Sequence, residues 1–357
     1  MKKLNKSTQK LITSISVIAL IYIIVCIMDG TGNLSSLMKG LLVPVCAYSL
    51  VAVGLNLCVG YLGELSLGHA GFMCVGAFSS AFFSKTFMDV IPDGPRFFLA
   101  IVIGTVMAAL FGFLIAIPVL RLSGDYLAIV TLAFGEIIKT VITVLYVGVD
   151  SRGVHASIKD MMSLGLEPDG KLILNGAQGI TGTPRQSTFT LAVLLLILAL
   201  IVVHNFVNSR TGRAVKAIRD NQIAAETVGL PITKYKLIAF TLSAAIAGVG
   251  GVLYSHNINM LVANTNNFGY NMSIMILVYV VLGGIGNISG SVIAAAVLTM
   301  LPELLRDLQT YRMLIYSIVL ILLMLFNWAP AILKWREKYG LTTSAIVNKF
   351  KKTKEVR

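Results

Sequence analysis

The chain reads as all-α: a polytopic bundle of about ten transmembrane helices, within a range of eight to ten. Three observations predict it. Hydrophobic residues make up 56% of the 357 residues and charged ones only 13%, against about a quarter charged in ordinary soluble domains, and mean hydropathy is +0.84. The apolar residues gather in runs of about 20, the number a helix rising about 1.5 Å per residue needs to cross a hydrocarbon core of about 30 Å. The charges fall between these runs, with the basic ones concentrated in three places.

Ten runs lie near residues 11–29, 37–60, 65–84, 97–119, 125–148, 188–207, 237–255, 270–288, 289–303 and 313–331. The first follows Lys2, Lys3, Lys6 and Lys10, and no small-residue cleavage site follows it. It is therefore read as an uncleaved span behind a cytoplasmic stretch, residues 1–10. Cys26, Cys46, Cys58 and Cys74 all fall inside apolar runs, where they serve as small hydrophobes without metal or disulfide spacing.

The block from Gly60 to Ala81 is dominated by small residues: Gly63, Gly68, Gly71 and Gly76 with Ser66, Ala70 and Ala77. Helices can approach closely here, or the chain can break near a pore. His69 sits among them, either packed and hydrogen-bonded or exposed to a ligand. In the fifth run Asp125 can cap the helix start. Glu136, 11 residues on, then lies roughly 16 Å deep at about 1.5 Å per residue. A bare charge at that depth is costly, and Lys139, one turn away, can offset it. Glu136 is thus half of an internal ion pair or a contributor to a polar pathway.

The segment 150–187 carries Arg152, Lys159, Lys171 and Arg185 against Asp150, Asp160, Glu167 and Asp169. This balance suits a docking surface or a solvated connector. Between Val207 and Lys236 the chain carries a basic island, with Arg210, Arg213, Lys216, Arg219, Lys234 and Lys236 against Asp220 and Glu226. Asp220 can cap a helix start, Gly229 can close it in the left-handed conformation, and Pro231 prevents continuation. A short helix from Asn221 to Val228 is predicted, with Ile223, Ala224, Thr227 and Val228 on one side and Gln222 and Glu226 on another. The island packs on its own bundle or offers this small apolar knob to a partner.

The island and the N-terminal stretch each carry net +4, and the tail 332–357 net +6, against +13 for the whole chain. An even number of spans puts all three on the cytoplasmic side, and membrane phospholipid is the acidic neighbour this pattern suits. Nucleic acid is a poor fit, because the basic residues lie in dispersed loops without interleaved aromatic platforms. Two nucleotide-like motifs also fail. Gly165, Gly170 and Lys171 are followed by Leu172 where magnesium needs Ser or Thr, and Gly284, Gly286 and Gly290 sit between apolar spans rather than in a strand–helix unit. No cofactor is expected in this chain, and ATP hydrolysis by it is not.

Ala224, Ala225 and Gly229 resemble the cytoplasmic signature of ABC importer membrane subunits, Glu-Ala-Ala, three residues, Gly, with Ile223 in place of the Glu. The blocks Gly60 to Ala81, Arg121 to Lys139, Asn175 to Pro184, Gly212 to Ser255 and Val281 to Arg306 are similar, in order and spacing, to the larger permease subunit of branched-chain amino acid ABC importers. The resemblance runs from about residue 40 to 330 and leaves out the termini and the insert Ser151 to Leu174. It implies a single permease domain over 1–357 in two related halves, an external loop at 150–187, a coupling loop at 207–236, and a basic cytoplasmic tail at 332–357. It also implies a site that couples to the ATPase, comprising Arg213, Arg219, Asp220, Ile223, Ala224, Ala225, Glu226 and Gly229. Ser66, His69 and Glu136 become candidates for the translocation pathway.

The implied setting is a bacterial cytoplasmic membrane with both termini inside. The implied partners are a shorter homologous permease subunit, two ABC ATPase subunits holding ATP and magnesium, and an external amino-acid-binding protein that captures leucine, isoleucine or valine. A related permease would carry urea or amides. A secondary transporter would need ion-coordinating carboxylates in unwound spans, and a membrane scaffold would need neither the small-residue spans nor Glu136.

Overall fold

The computed structural model describes residues 6–32, 35–120, 124–168, 170–306 and 311–328. The chain forms two compact units, Met1–Thr299 and Met300–Arg357. The helices in order are α1 (Lys6–Gly30), α2 (Ser36–Asn56), α3 (His69–Thr86), α4 (Asp93–Val119), α5 (Asp125–Val144), α6 (Phe189–Asn208), α7 (Arg210–Asp220), α8 (Gln222–Thr227), α9 (Ile232–Ser255), α10 (Thr265–Phe268), α11 (Tyr270–Gly283), α12 (Ile288–Leu304) and α13 (Arg312–Trp328). Among the described residues six are long and apolar enough to cross a membrane: α1, α2 with its continuation to Leu62, α4, α5, α6 and α9. The tail 332–357, the first five residues and the end of the expected span 313–331 lie outside the described residues.

The all-α expectation needs correcting at one end of the bundle. The fifth helix stops at Val144, short of the expected 148, and three strands follow: β1 (Tyr146–Asp150), β2 (Gly153–Ser157) and β3 (Lys171–Asn175). They pair antiparallel in the order β2-β1-β3. A second small ladder joins β4 (Ile180–Thr181) to β5 (Met260–Leu261). The sequence TVLYVGVD is apolar enough to extend a span, and a short apolar run does not tell strand from helix by period. Its β-branched residues settle as a strand because a partner lies on each side.

Helix α9 is the centre of the first unit and packs against α2, α3 and α4. Small residues make this possible, as the block after Gly60 predicts. A Cβ on Gly251 would fall 2.0 Å from the Met73 carbonyl oxygen of α3, so the two backbones touch directly. At 24 residues, α9 is about 36 Å long. The basic island leads into its first turn, and the strand region receives its last. These are the two ends of the bundle.

The sequence leaves open whether the glycine block packs closely or breaks, and the structure does each in a different place. After α2 the chain widens into a π-helical turn, Leu57–Leu62, closed by Gly63 at φ +80°. Gly63 N and Glu64 N both donate to the Cys58 carbonyl. The chain is non-helical until His69, so the expected span at 65–84 starts four residues late. Gly71 and Gly76 then lie against the backbones of α5 and α9.

Candidate functional site

The basic island divides into two helices and a turn, and its ordered part runs from Ser209 to Pro231. Ser209 caps α7 by accepting from Gly212 N at 3.1 Å. Asp220, the expected cap of the next helix, is instead the last residue of α7 and receives Arg219 at 2.7 Å. Asn221 takes the cap, accepting from Ala224 N at 3.0 Å. Asn and Asp cap about equally well, and the extended backbone the cap requires falls on Asn221, at φ −158° and ψ 104°. The helix is therefore Gln222–Thr227, shorter at both ends than the expected Asn221–Val228. Gly229 is left-handed at φ +83° and Pro231 sits at the cap of α9, as the sequence indicates.

Helix α8 projects its apolar side outward. Ile223 is 77% exposed and Val228 76%, Ala224 and Glu226 are also exposed, and Ala225 alone is buried. Arg213 is exposed and donates to the Asn208 carbonyl at 3.0 Å, closing the α6–α7 corner. Of the expected coupling residues, Asp220, Ile223, Ala224, Glu226 and Gly229 share one exposed protrusion, Ala225 anchors it, and Arg213 stands back from the knob.

Arg219 reaches in the opposite direction. Its Nη1 donates to the Gly60 carbonyl at 2.8 Å, and its side chain lies across Gly63, where a Cβ would meet Arg219 Cγ at 2.5 Å. Beside it Lys236, buried in the second turn of α9, pairs with Glu64 and donates to Gln222 Oε1 at 3.2 Å. A cavity of about 390 Å³ opens here between Glu64, Arg219, Asp220, Gln222, Ile223 and Lys236. The buried Asn56 leads into the π-turn: its Oδ1 accepts from Gly286 N at 2.8 Å and its Nδ2 donates to Ser291 Oγ at 2.7 Å. Tyr61 OH donates to the Gly286 carbonyl at 2.8 Å. The glycines that resemble a dinucleotide fingerprint form the tight turn between α11 and α12, with Gly284 at φ +94° and Gly286 at φ +80°. Sequence reasoning passes over Glu64, Asn56 and Tyr61, and counts Lys236 only among the charges of the island. Lys236 carries a signal in hindsight, being a cation just inside an apolar run.

Of the pathway candidates, Ser66 and His69 meet and Glu136 stands elsewhere. His69 is buried, with Nδ1 3.1 Å from Ser66 Oγ and Nε2 2.6 Å from Ser243 Oγ. Ser243 spends its single proton on the Gly54 carbonyl at 2.6 Å. His69 Nε2 must therefore donate and Nδ1 must accept from Ser66, a neutral imidazole with both nitrogens occupied. The ring ties the start of α3 to α9 and, through Ser243, to α2.

Glu136 pairs with Lys139 at 2.5 Å, and its other oxygen accepts from Tyr270 N at 2.7 Å. Lys139 also donates to Thr265 Oγ1 at 3.2 Å. Tyr270 opens α11, whose 14 residues span about 21 Å, less than a hydrocarbon core of about 30 Å. The start of a helix leaves free N–H groups and a positive dipole end. The Glu136 carboxylate answers both. Gly124 stands in the cap position of α5, ahead of Asp125, whose side chain lies outside the described atoms.

At the opposite end several charges of segment 150–187 pair with one another or with the turn after α3. Arg152 pairs with Asp150 and Glu167, His155 reaches Asp150 at 3.0 Å, and Lys171 pairs with Asp89. Burial pulls the Asp150 carboxyl upward, but hydrogen bonds from the Arg152 side chain and backbone and from His155 outweigh it and hold the group down at about 2.

Comparison with known proteins places the chain in one family. The family profile described as branched-chain amino acid transport system / permease component matches residues 37–326. The high-affinity branched-chain amino acid transport system permease protein LivM of Escherichia coli K12 is 35% identical over 295 residues, covering 79% of this chain and 66% of the relative. LivM of Salmonella typhimurium LT2 is 34% identical over the same coverage. The chain thus spans just under two thirds of the length of these relatives. The fructose import permease protein FruG of Bifidobacterium longum is 28% identical over 165 residues, 44% of this chain and 48% of the relative. No solved structure matches the chain significantly.

Proposed function

We propose a function from the premise that this chain, matched over residues 37–326, belongs to the family of branched-chain amino acid transport permease components. In this reading it is a membrane subunit of an ABC importer that moves leucine, isoleucine or valine, driven by ATP hydrolysis on separate subunits. Its companions are a shorter homologous permease, two ATPase subunits and an external binding protein, in a bacterial cytoplasmic membrane. The island and both termini lie on the cytoplasmic side, and the chain crosses about ten times in two related halves. Six helices long and apolar enough to cross a membrane among the described residues support a multi-span reading.

The observation that carries the reading is the protrusion α8. It is six residues long, capped at one end by Asn221, stopped at the other by Gly229, and it offers Ile223 and Val228 to solvent. Exposed aliphatic side chains on a stiff helix suit the groove of a partner. Closure of an ATPase pair would move this knob, and α9, which begins five residues after α8 ends, would carry the motion into the bundle. Ser66 and His69 then shape the pathway wall by holding the break before α3 against α9, and Glu136 does so by fixing the start of α11.

The test is reconstitution. The chain, co-expressed with a candidate second permease, ATPase and binding protein, should co-purify with them and take up leucine into vesicles only with ATP. Uptake by the chain alone on a sodium or proton gradient would refute the reading. Uptake of a sugar, urea or an amide in place of leucine would keep the mechanism and overturn the substrate.

A further inference from the structure

We infer that Glu64, Lys236 and Arg219 form a latch that carries motion of the α7–α8 island into the glycine hairpin between α11 and α12. The inference rests on the reading of the island as the coupling element, and it assigns the positioning residues that reading lacks.

Three observations converge on the π-turn at Leu57–Leu62. First, the elements flanking α8 on both sides are tied to the end of that turn. Arg219, in the last turn of α7, donates to the Gly60 carbonyl, an acceptor that Glu64 N bypasses by bonding to Cys58. Lys236, in α9, pairs with Glu64, and the same ammonium holds Gln222, the first residue of α8. The pair is nearly buried, with side-chain exposures of 8% and 12%, so it acts with little solvent screening. Secondly, the turn grips the hairpin. Asn56 accepts from Gly286 N and donates to Ser291, Tyr61 donates to the Gly286 carbonyl, and a Cβ on Gly60 would lie 2.4 Å from Gly286 N. Thirdly, there is room to move. The cleft of about 390 Å³ lies between the latch residues and Ile223 of the knob, open beside the exposed Asp220 and Gln222.

A π-turn is a rare one-turn widening of a helix that recurs at functional sites. Pushed at Gly60 and Glu64, it displaces Asn56 and Tyr61, and the hairpin follows through three hydrogen bonds. The knob therefore drives α9 through the chain itself and α11–α12 through the latch.

The test uses the whole complex in proteoliposomes, reading ATPase binding, ATP hydrolysis and leucine uptake per ATP. A wild-type complex that binds no ATPase would end the coupling reading, and the latch with it. If the wild type couples, Glu64→Gln and Lys236→Met should keep ATPase binding and hydrolysis, while uptake per ATP falls about fivefold or more, the size of a modest coupling between sites. The exchanged pair Glu64→Lys with Lys236→Glu should return uptake per ATP toward wild type. Normal uptake per ATP in either single variant, with the ATPase bound, would overturn the latch and leave the coupling reading standing. If the single variants do not fold, the exchanged pair decides: recovery of coupling supports the latch, and a folded but uncoupled exchanged pair overturns it.

Discussion

Gly251→Ala tests the packing on which every functional statement depends. The Cβ this substitution adds would lie 2.0 Å from the Met73 carbonyl oxygen and 2.9 Å from Ala77 N, while ordinary contact begins near 3.4 Å. The shortfall to the oxygen is therefore about 1.4 Å, and both obstacles are backbone atoms that no rotamer change removes. Helix α3 must move off α9 as a body. A gap of about 0.5–1 Å already forfeits a quarter to a half of each dispersion contact along an interface. Overpacking that side chains can absorb costs about 1–3 kcal/mol, so with backbone obstacles the expected loss is at the top of that range, about 3 kcal/mol. The control is Gly40→Ala in α2, where the new Cβ meets nothing within 4 Å and removal of a helical glycine stabilises by about 0.5–1 kcal/mol. Purified variants unfolded in mixed detergent and followed by circular dichroism should move in opposite directions from wild type. Equal stability of Gly251→Ala and wild type would refute the α3–α9 contact, and with it the placement of His69.

Three further outcomes are expected. Glu136→Gln keeps an acceptor for Tyr270 N but removes the charge facing Lys139; hydrogen bonds to charged groups contribute about 1.5–3 kcal/mol against about 1 for neutral ones. Faster hydrogen exchange over 265–275 and reduced transport with assembly intact should follow, and unaltered uptake would remove Glu136 from the pathway. Asp150 titrates at about 2 in the fold against an ordinary 3.8. A depressed carboxylate stabilises above its unfolded value and loses that contribution as pH falls through its folded one. Protection of the β1–β2 amides, relative to the intrinsic exchange rate at each pH, should therefore be steady above about pH 4 and fall between about pH 4 and 2, with Asp150→Asn flattening the response. Ala224→Arg places bulk and charge on the exposed knob and should release or uncouple the ATPase while circular dichroism stays unchanged; normal ATPase binding and transport would show that the knob is misassigned.

Local chemistry explains what could be read from the chain directly. The spans follow from hydrophobic run length, because a bilayer accepts only segments that satisfy their own backbone. Gly229 and Pro231 mark the end of α8 because their conformational limits travel with the residue. Asp220 misled for the same reason: Asp and Asn are near-equivalent caps in adjacent positions, and the backbone bend that chooses between them comes from the packing of α7. The strand Tyr146–Asp150 was hidden because apolar β-branched residues suit a strand and a span alike until pairing partners arrive from 153–157 and 171–175.

The sequence by itself determined the membrane class, the order of the apolar helices, the glycine-rich stretch that lets them touch, and a short capped helix with an apolar face. These are properties of composition and of spacings under about ten residues. Only the tertiary structure decided what the polar residues do. His69 is a strut because Ser243 lies 174 positions away in the chain, Glu136 caps a helix 134 positions on, and Lys236 finds Glu64 across 172. A buried charge or imidazole must be answered by whatever surface the fold brings to it, and that surface is set by the packing of distant helices.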